Sequence, residues 1–425
     1  MVKINQFYIE FDQRWSVYAP GETVTGRVVL SLGEQLFCDQ VTARCYGSTR
    51  VFWVERELKP PHGMQSVAYS GETVHVDQTE MLWEQENPVS QRNSLEDIVR
   101  SSSGLRLDLA NVRAATEESD KKRPFLKAGL HHFDFQFRLP SDLPTSFESS
   151  HAVGYIRYWV KISVCEFGRS KHSRKNCFTV VKRLDLNHQP EACLSVSKHS
   201  ELQPNSFACF IPAKSGGSIE INTTLQQAGY VPGEPLKVSV EIENQSKRKV
   251  AAVRVALMQQ VVCCSEKPEF RTRKTTHSVA VAAAGSKVKR GQHVMYEPSL
   301  YVPAVSPTLA CSGLIEVSYS LAVAVHCRSK MPPDLSLTIP LVIGTVPLGG
   351  RPVAKNTGVT SSDGSAPAYQ DVIGIPPPTY EECVTGQSNL AFHEENEEAY
   401  LPSYAVYSFH GTSISDQDRL TNVYS

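Results

Sequence analysis

Tyr18-Ala19-Pro20-Gly21-Glu22 and Tyr230-Val231-Pro232-Gly233-Glu234 repeat one turn signature, once in each half of this 425-residue chain. In such a turn, proline presets the backbone of the first central position and glycine supplies the positive φ of the second. Each copy opens a run of alternating apolar residues: Val24, Gly26, Val28, Leu30 and Leu32 after the first, and Leu236, Val238, Val240 and Ile242 after the second. Phe133, Phe135, Phe137 and Leu139 alternate in the same way, as do Leu335, Leu337, Ile339, Leu341 and Ile343. A period of two marks a strand with one buried face. A second landmark recurs in the same order. Pro144-Thr145 precedes the run Ile156 to Ile162, and Pro307-Thr308 precedes the run Val317 to Val323. No long amphipathic helix interrupts the pattern. A chain with this duplicated order of turns and strands is expected to be all-β, with two immunoglobulin-type β-sandwiches in tandem.

The first half is longer than the second between equivalent landmarks. The excess falls in a polar insertion at about 84–124, where Ser94-Leu95-Glu96-Asp97 reads as a helix capping box. The expected organisation is an N-terminal domain over 1–184, a linker over 185–206, a second domain over 207–347 and a disordered tail over 348–425. The tail holds ten acidic and three basic residues from position 350 onward, against a whole-chain net charge of −1. With few aliphatic residues, it has too little apolar surface to offset the entropy of ordering.

Composition narrows the function classes. With 43 basic and 44 acidic side chains the chain does not suit nucleic-acid binding by bulk charge. No apolar run reaches the length of a membrane span, and Met1-Val2-Lys3-Ile4 starts no secretory signal core. The eleven cysteines are odd in number and form no Cys-x-x-Cys pair, so reduced, mostly buried thiols in a cytoplasmic protein are expected. His131 and His132 are adjacent on a strand and point to opposite faces, which does not suit a metal site. No nucleophile elbow, zinc-binding helix or phosphate loop occurs, so neither catalysis nor a cofactor is expected.

The tail carries the one motif with a mechanism: Pro376-Pro377-Pro378-Thr379-Tyr380. Consecutive prolines hold a polyproline II helix before a partner arrives, and WW domains dock such helices in aromatic-lined grooves. Pro377, Pro378, Thr379 and Tyr380 match Pro-Pro-x-Tyr; the two prolines would lie on the groove aromatics and the Tyr380 ring would fill the next pocket. Leu401-Pro402-Ser403-Tyr404 is an imperfect second copy, read as a weak second WW site.

Val17-Tyr-Ala-Pro-Gly-Glu22 with Gly26, Leu143-Pro-Thr-Ser-Phe-Glu148, Ile156-Arg-Tyr-Trp-Val-Lys161 and Ile339-Pro-Leu-Val-Ile-Gly344 together resemble the arrestin fold, and more narrowly the α-arrestins. The resemblance covers roughly residues 4–347. It implies a non-catalytic trafficking adaptor whose body engages membrane receptors or transporters as cargo. It also implies a tail that recruits WW-domain HECT-type ubiquitin ligases for ubiquitination, endocytosis and endosomal sorting. The implied location is cytoplasmic, with recruitment to the plasma membrane and endosomes. One branch of the family pairs with thioredoxin through a cysteine just after a Glu-Asn pair; here Glu243-Asn244-Gln245 is followed by Ser246, which argues against that pairing. The alternative is a sorting scaffold of the retromer-subunit type, acting through the body with an incidental tail motif.

Basic clusters at Arg169, Lys171, Arg174 and Lys175, and at Lys247, Arg248 and Lys249, admit two readings. They are patches for an anionic partner or a peripheral membrane surface, or they are solvated strand edges that block aggregation.

Overall fold

The alternating runs form strands. The computed structural model describes residues 4–59, 63–85, 124–149, 151–166, 169–202, 217–285, 287–310, 313–327, 335–349 and 400–407, and among these there is no α-helix. They fall into two units: residues up to 48, 74–143 and 157–180 form the first; 49–73, 144–156 and those from 181 onward form the second. The polar insertion, including Ser94–Asp97, lies outside the described residues between 86 and 123.

The first unit is built on β1 (Ile4–Phe11), β2 (Val17–Tyr18), β3 (Thr23–Leu32), β4 (Leu36–Phe37), β5 (Gln40–Lys59), β6 (Gly63–Glu84), β7 (Phe125–Leu126), β8 (Gly129–Arg138), β9 (Gly154–Glu166) and β10 (Arg169–Val180). One sheet runs β1-β3-β8, a second runs β2-β10-β9-β5-β6, and β4 pairs with β7. Residues 49–73, at the far part of the β5–β6 hairpin, belong to the second unit. Gly26 is fixed by the approach of β1, since a Cβ there would stand 2.3 Å from the Glu10 carbonyl oxygen. An aromatic cluster sits within the aliphatic core. Phe178 packs edge-on against Phe11 (5.9 Å between ring centres) and Tyr18 (5.5 Å), and lies tilted on Tyr158 (5.9 Å).

The second unit continues through a 3-10 turn (Leu186–His188) into β11 (Val196–Leu202), β12 (Ile219–Leu225), β13 (Gly229–Tyr230), β14 (Val238–Asn244), β15 (Val250–Ser265), β16 (Arg271–Gly285), β17 (Gln292–Tyr296), β18 (Ile315–Cys327) and β19 (Leu335–Ile343). Its sheets run β11-β12-β14-β17 and β13-β19-β18-β15-β16. The stretch expected as a linker over 185–206 is therefore structured over much of its length. Leu186 and Ala192 are buried, and β11 pairs antiparallel with β12 from Val196 opposite Leu225 to Leu202 opposite Ile219. The sequence hides β11 because it is an edge strand, and Lys198, His199 and Glu201 face solvent where a central strand would alternate.

Both repeated landmarks have a chemical reason. In the first turn the Glu22 carboxylate accepts from the Ala19 N–H (2.8 Å) while the Glu22 N–H donates to the Ala19 carbonyl (3.1 Å). The second turn repeats this between Glu234 and Val231, at 3.0 and 3.1 Å. Gly21 and Gly233 hold φ of +84° and +89°. The threonine of each Pro-Thr pair accepts a backbone N–H: Thr145 Oγ1 from Lys182 and Thr308 Oγ1 from Ile343, both at 2.9 Å.

One histidine of the second unit is expected to couple stability to pH. His277 of β16 lies 4.3 Å from His151, ring centre to ring centre. Burial, and then the neighbouring His151, lower the His277 pKa to about 4. An unfolded histidine takes up its proton near 6.5, so between these values the unfolded chain binds more protons and stability falls as pH drops. The residue as a whole is half-buried, and after discounting for solvent screening the effect is about 1–2 kcal/mol. Urea midpoints measured from pH 7 to pH 4.5 are expected to fall more steeply for wild type than for His277→Gln. Parallel curves would exclude this role.

Candidate functional site: a docked C-terminal segment

Residues 400–407 return to the second unit. Tyr404 is 3% exposed, and its hydroxyl donates to the Ser146 carbonyl at 2.8 Å. Ser146 lies in the buried run Thr145–Ser149, which follows the Leu143-Pro144 step. Three residues on, the Tyr407 N–H donates to the Pro232 carbonyl at 2.9 Å, and its hydroxyl makes a short bond to the Thr345 carbonyl. Burial raises the Tyr407 pKa, so the hydroxyl stays protonated and keeps its donor role. The Tyr407 ring packs on the apolar cluster of Leu186, Ala192 and Val231, beside Val342 and Leu348.

The floor of this site is stitched from both ends of the body. Thr345 Oγ1 accepts from the Leu184 N–H at 2.7 Å, and the Leu186 N–H donates to the Val346 carbonyl at 3.2 Å. Asp185 caps the 3-10 turn by accepting from the Asn187 N–H at 3.0 Å and pairs with Arg183 at 2.9 Å. Asn187 Oδ1 in turn accepts from the Gly349 N–H at 2.9 Å. Gly233 completes the floor: a Cβ there would stand 2.1 Å from the Tyr407 carbonyl oxygen.

The second candidate WW site, Leu401, Pro402 and Tyr404, falls within this docked segment. Pro402 and Tyr404 are buried, so the ring and proline that a WW groove would grip face the body. Ser146, Thr345 and the Pro232 carbonyl are the residues that sequence reasoning missed. The available signal was the density of tyrosines, Tyr400, Tyr404 and Tyr407, in a tail otherwise poor in large apolar side chains. Pro377, Pro378, Thr379 and Tyr380 lie outside the described residues, as does Cys383.

The basic clusters are partly engaged within the fold. Lys171 makes a short ion pair with Glu166, and Arg174 donates to the Phe7 carbonyl at 3.1 Å. Lys175 stands 4.8 Å from the centre of the Trp159 ring, which stacks on Tyr46 at 5.0 Å. Arg169, Lys247 and Lys249 are exposed, while Arg248 is half-buried and its carbonyl accepts from Asn244. The His131 ring bonds to the Lys127 carbonyl at 2.8 Å, and no group of three or more His, Cys, Asp or Glu side chains among the described residues is placed to hold a metal.

The profile described as "Arrestin (or S-antigen), N-terminal domain" matches residues 7–99 and 105–187, and that described as "Arrestin (or S-antigen), C-terminal domain" matches 215–348. Arrestin domain-containing protein 17 of Caenorhabditis elegans is 25% identical over 401 residues, covering 90% of this chain and 81% of that protein. Arrestin domain-containing protein 1 of Rattus norvegicus is 27% identical over 369 residues, covering 86% and 70%. Arrestin domain-containing protein 4 of Homo sapiens is 26% identical over 353 residues, covering 82% and 73%. The chain belongs to the arrestin domain-containing, or α-arrestin, family. Its two β-sandwiches are arrestin domains, and its family is one of arrestin-like adaptors.

In this α-arrestin the Glu243-Asn244 pair is followed, after Gln245, by a residue with a structural task. Asn244 Oδ1 accepts from both the N–H (3.0 Å) and the hydroxyl (2.7 Å) of Ser246. Asn244 Nδ2 donates to the carbonyls of Arg248 (2.9 Å) and Val288 (3.1 Å). The pair thus closes the turn between β14 and β15.

Proposed function

We propose that this α-arrestin is a trafficking adaptor that recruits WW-domain HECT-type ubiquitin ligases through Pro377, Pro378, Thr379 and Tyr380. Its arrestin domains hold membrane receptors or transporters as cargo, which are then ubiquitinated and sorted through endosomes. The protein works from the cytoplasm and moves to the plasma membrane and endosomes with its cargo. One observation carries this reading: a full Pro-Pro-x-Tyr sequence in a chain of an adaptor family. The chemistry belongs to the ligase. The adaptor contributes proximity, raising the ligase concentration near the acceptor lysines of the cargo. With Tyr404 buried, Tyr380 carries the recruitment.

The test uses the full-length chain and a tandem WW fragment of a HECT ligase in calorimetry. Tyr380→Ala is expected to weaken binding at least tenfold, because the ring that fills the second pocket is gone. Tyr404→Phe is expected to leave the affinity within twofold of wild type. Unchanged affinity in Tyr380→Ala overturns the recruitment mechanism.

A further inference from the structure

We propose that the second unit carries a peptide groove selective for Pro-x-Tyr-x-x-Tyr, with residues 402–407 of the same chain as its resident ligand. Occupancy of that groove withholds Tyr404 from WW domains. The groove itself stands apart from the ligase reading, while the withholding of Tyr404 from WW domains rests on it.

Three hydrogen bonds anchor the segment, two of them from tyrosine side chains, and Pro402 is buried with them. Tyr404 inserts its ring and donates its hydroxyl proton to the Ser146 carbonyl at 2.8 Å. Tyr407 donates its hydroxyl proton to the Thr345 carbonyl and its N–H to the Pro232 carbonyl. Both hydroxyls meet acceptors, so phenylalanine would keep the packing and lose the bonds. A phosphotyrosine does not fit in place of Tyr404. It has no proton to donate at neutral pH and would set charged oxygens against carbonyl oxygens in a desolvated site. At Tyr407 the charges of Arg183 and Asp185 act on the hydroxyl in opposite directions, so the exclusion of phosphate rests on Tyr404, which is the position tested. The missing Cβ of Gly233 leaves the main chain of Val406-Tyr407 room to pass, so the turn glycine serves both the turn and the ligand.

Residues 402–407 are a ligand rather than an extension of a sheet, because no named strand includes them and side-chain rings dominate their anchoring. The chain also returns to where it left. Leu348, at the end of the body, and Tyr407 pack on the same cluster of Leu186, Ala192 and Val231. The cost of closing the connection between them grows only with the logarithm of its length. The resident segment therefore binds as an intramolecular ligand, at an effective concentration set by that connection. A peptide supplied in trans, or a WW domain reaching for Leu401-Pro402-Ser403-Tyr404, has to compete with that.

The groove is tested with a fluorescein-labelled synthetic peptide of residues 398–411, read by fluorescence anisotropy on full-length chains without any WW protein present. The variant Tyr404→Ala/Tyr407→Ala empties the groove without touching the body. It is expected to bind the peptide saturably and at least tenfold more tightly than wild type, whose groove is filled in cis. The same peptide phosphorylated at Tyr404 is expected to lose at least tenfold. In hydrogen exchange, wild-type residues 400–407 are expected to exchange at least tenfold more slowly than the free peptide. Absent or equal binding by the two chains, undiminished binding of the phosphopeptide, or free-peptide exchange rates in wild type would each overturn the proposal.

Discussion

Asn244→Ala is expected to lower the unfolding free energy by about 3 kcal/mol or more, since each buried polar group left without a partner costs about 1–3 kcal/mol. Asn244 is fully buried and uses both ends of its amide. Alanine would remove the Asn244 Nδ2 bonds to the Arg248 and Val288 carbonyls, at 2.9 and 3.1 Å, of which the Val288 carbonyl keeps the Val250 N–H at 3.2 Å. It would also remove the acceptor for the Ser246 N–H and hydroxyl. Water cannot readily replace these bonds because Ser246 is itself buried. Ser246→Ala removes the hydroxyl that donates to Asn244 Oδ1 and accepts from the Arg248 N–H at 3.1 Å, and is expected to cost about 1–2 kcal/mol, less than Asn244→Ala. Urea denaturation followed by intrinsic fluorescence measures both. Equal, small losses in the two variants would mean that the turn between β14 and β15 relaxes to pair its own backbone.

The contrast between Glu22 and Thr145 explains which parts of this fold could be read in advance. Glu22 caps a turn three residues away, and Glu234 repeats it, so both ends of the interaction sit in one short motif and the repeat is visible. Thr145 and Thr308 are just as regularly placed, but their donors Lys182 and Ile343 lie far along the chain. A Pro-Thr pair marks the position without disclosing the task. Edge strands are hidden for another reason. β11 is polar on both faces over Lys198–Ser200, so period two is lost even though its backbone pairs fully with β12. The candidate site was the least legible element. Composition over the whole tail averages out the three tyrosines of 400–407, and their acceptors are backbone carbonyls of Ser146, Pro232 and Thr345, which any residue type would present.

Phe178→Ala is expected to cost about 3–5 kcal/mol, the range for truncating a buried phenylalanine. The ring is fully buried at the end of β10 and touches aromatic rings from three other strands, β1, β2 and β9. Removing it loses the transfer energy of the ring and leaves a cavity bounded by rings that cannot rotate into it without breaking their own edge-to-face contacts. Tyr18→Phe separates packing from polarity in the same cluster. The Tyr18 hydroxyl is buried without a hydrogen-bond partner among the described residues, and burial raises its pKa. Deleting that oxygen therefore removes a desolvation cost and keeps the ring, so Tyr18→Phe is expected to be neutral or stabilising by up to about 1 kcal/mol. Thermal and urea unfolding of the two variants decide between packing and polarity. A destabilised Tyr18→Phe beside a tolerated Phe178→Ala would show that the hydroxyl, and not the aromatic packing, holds β2 against β10.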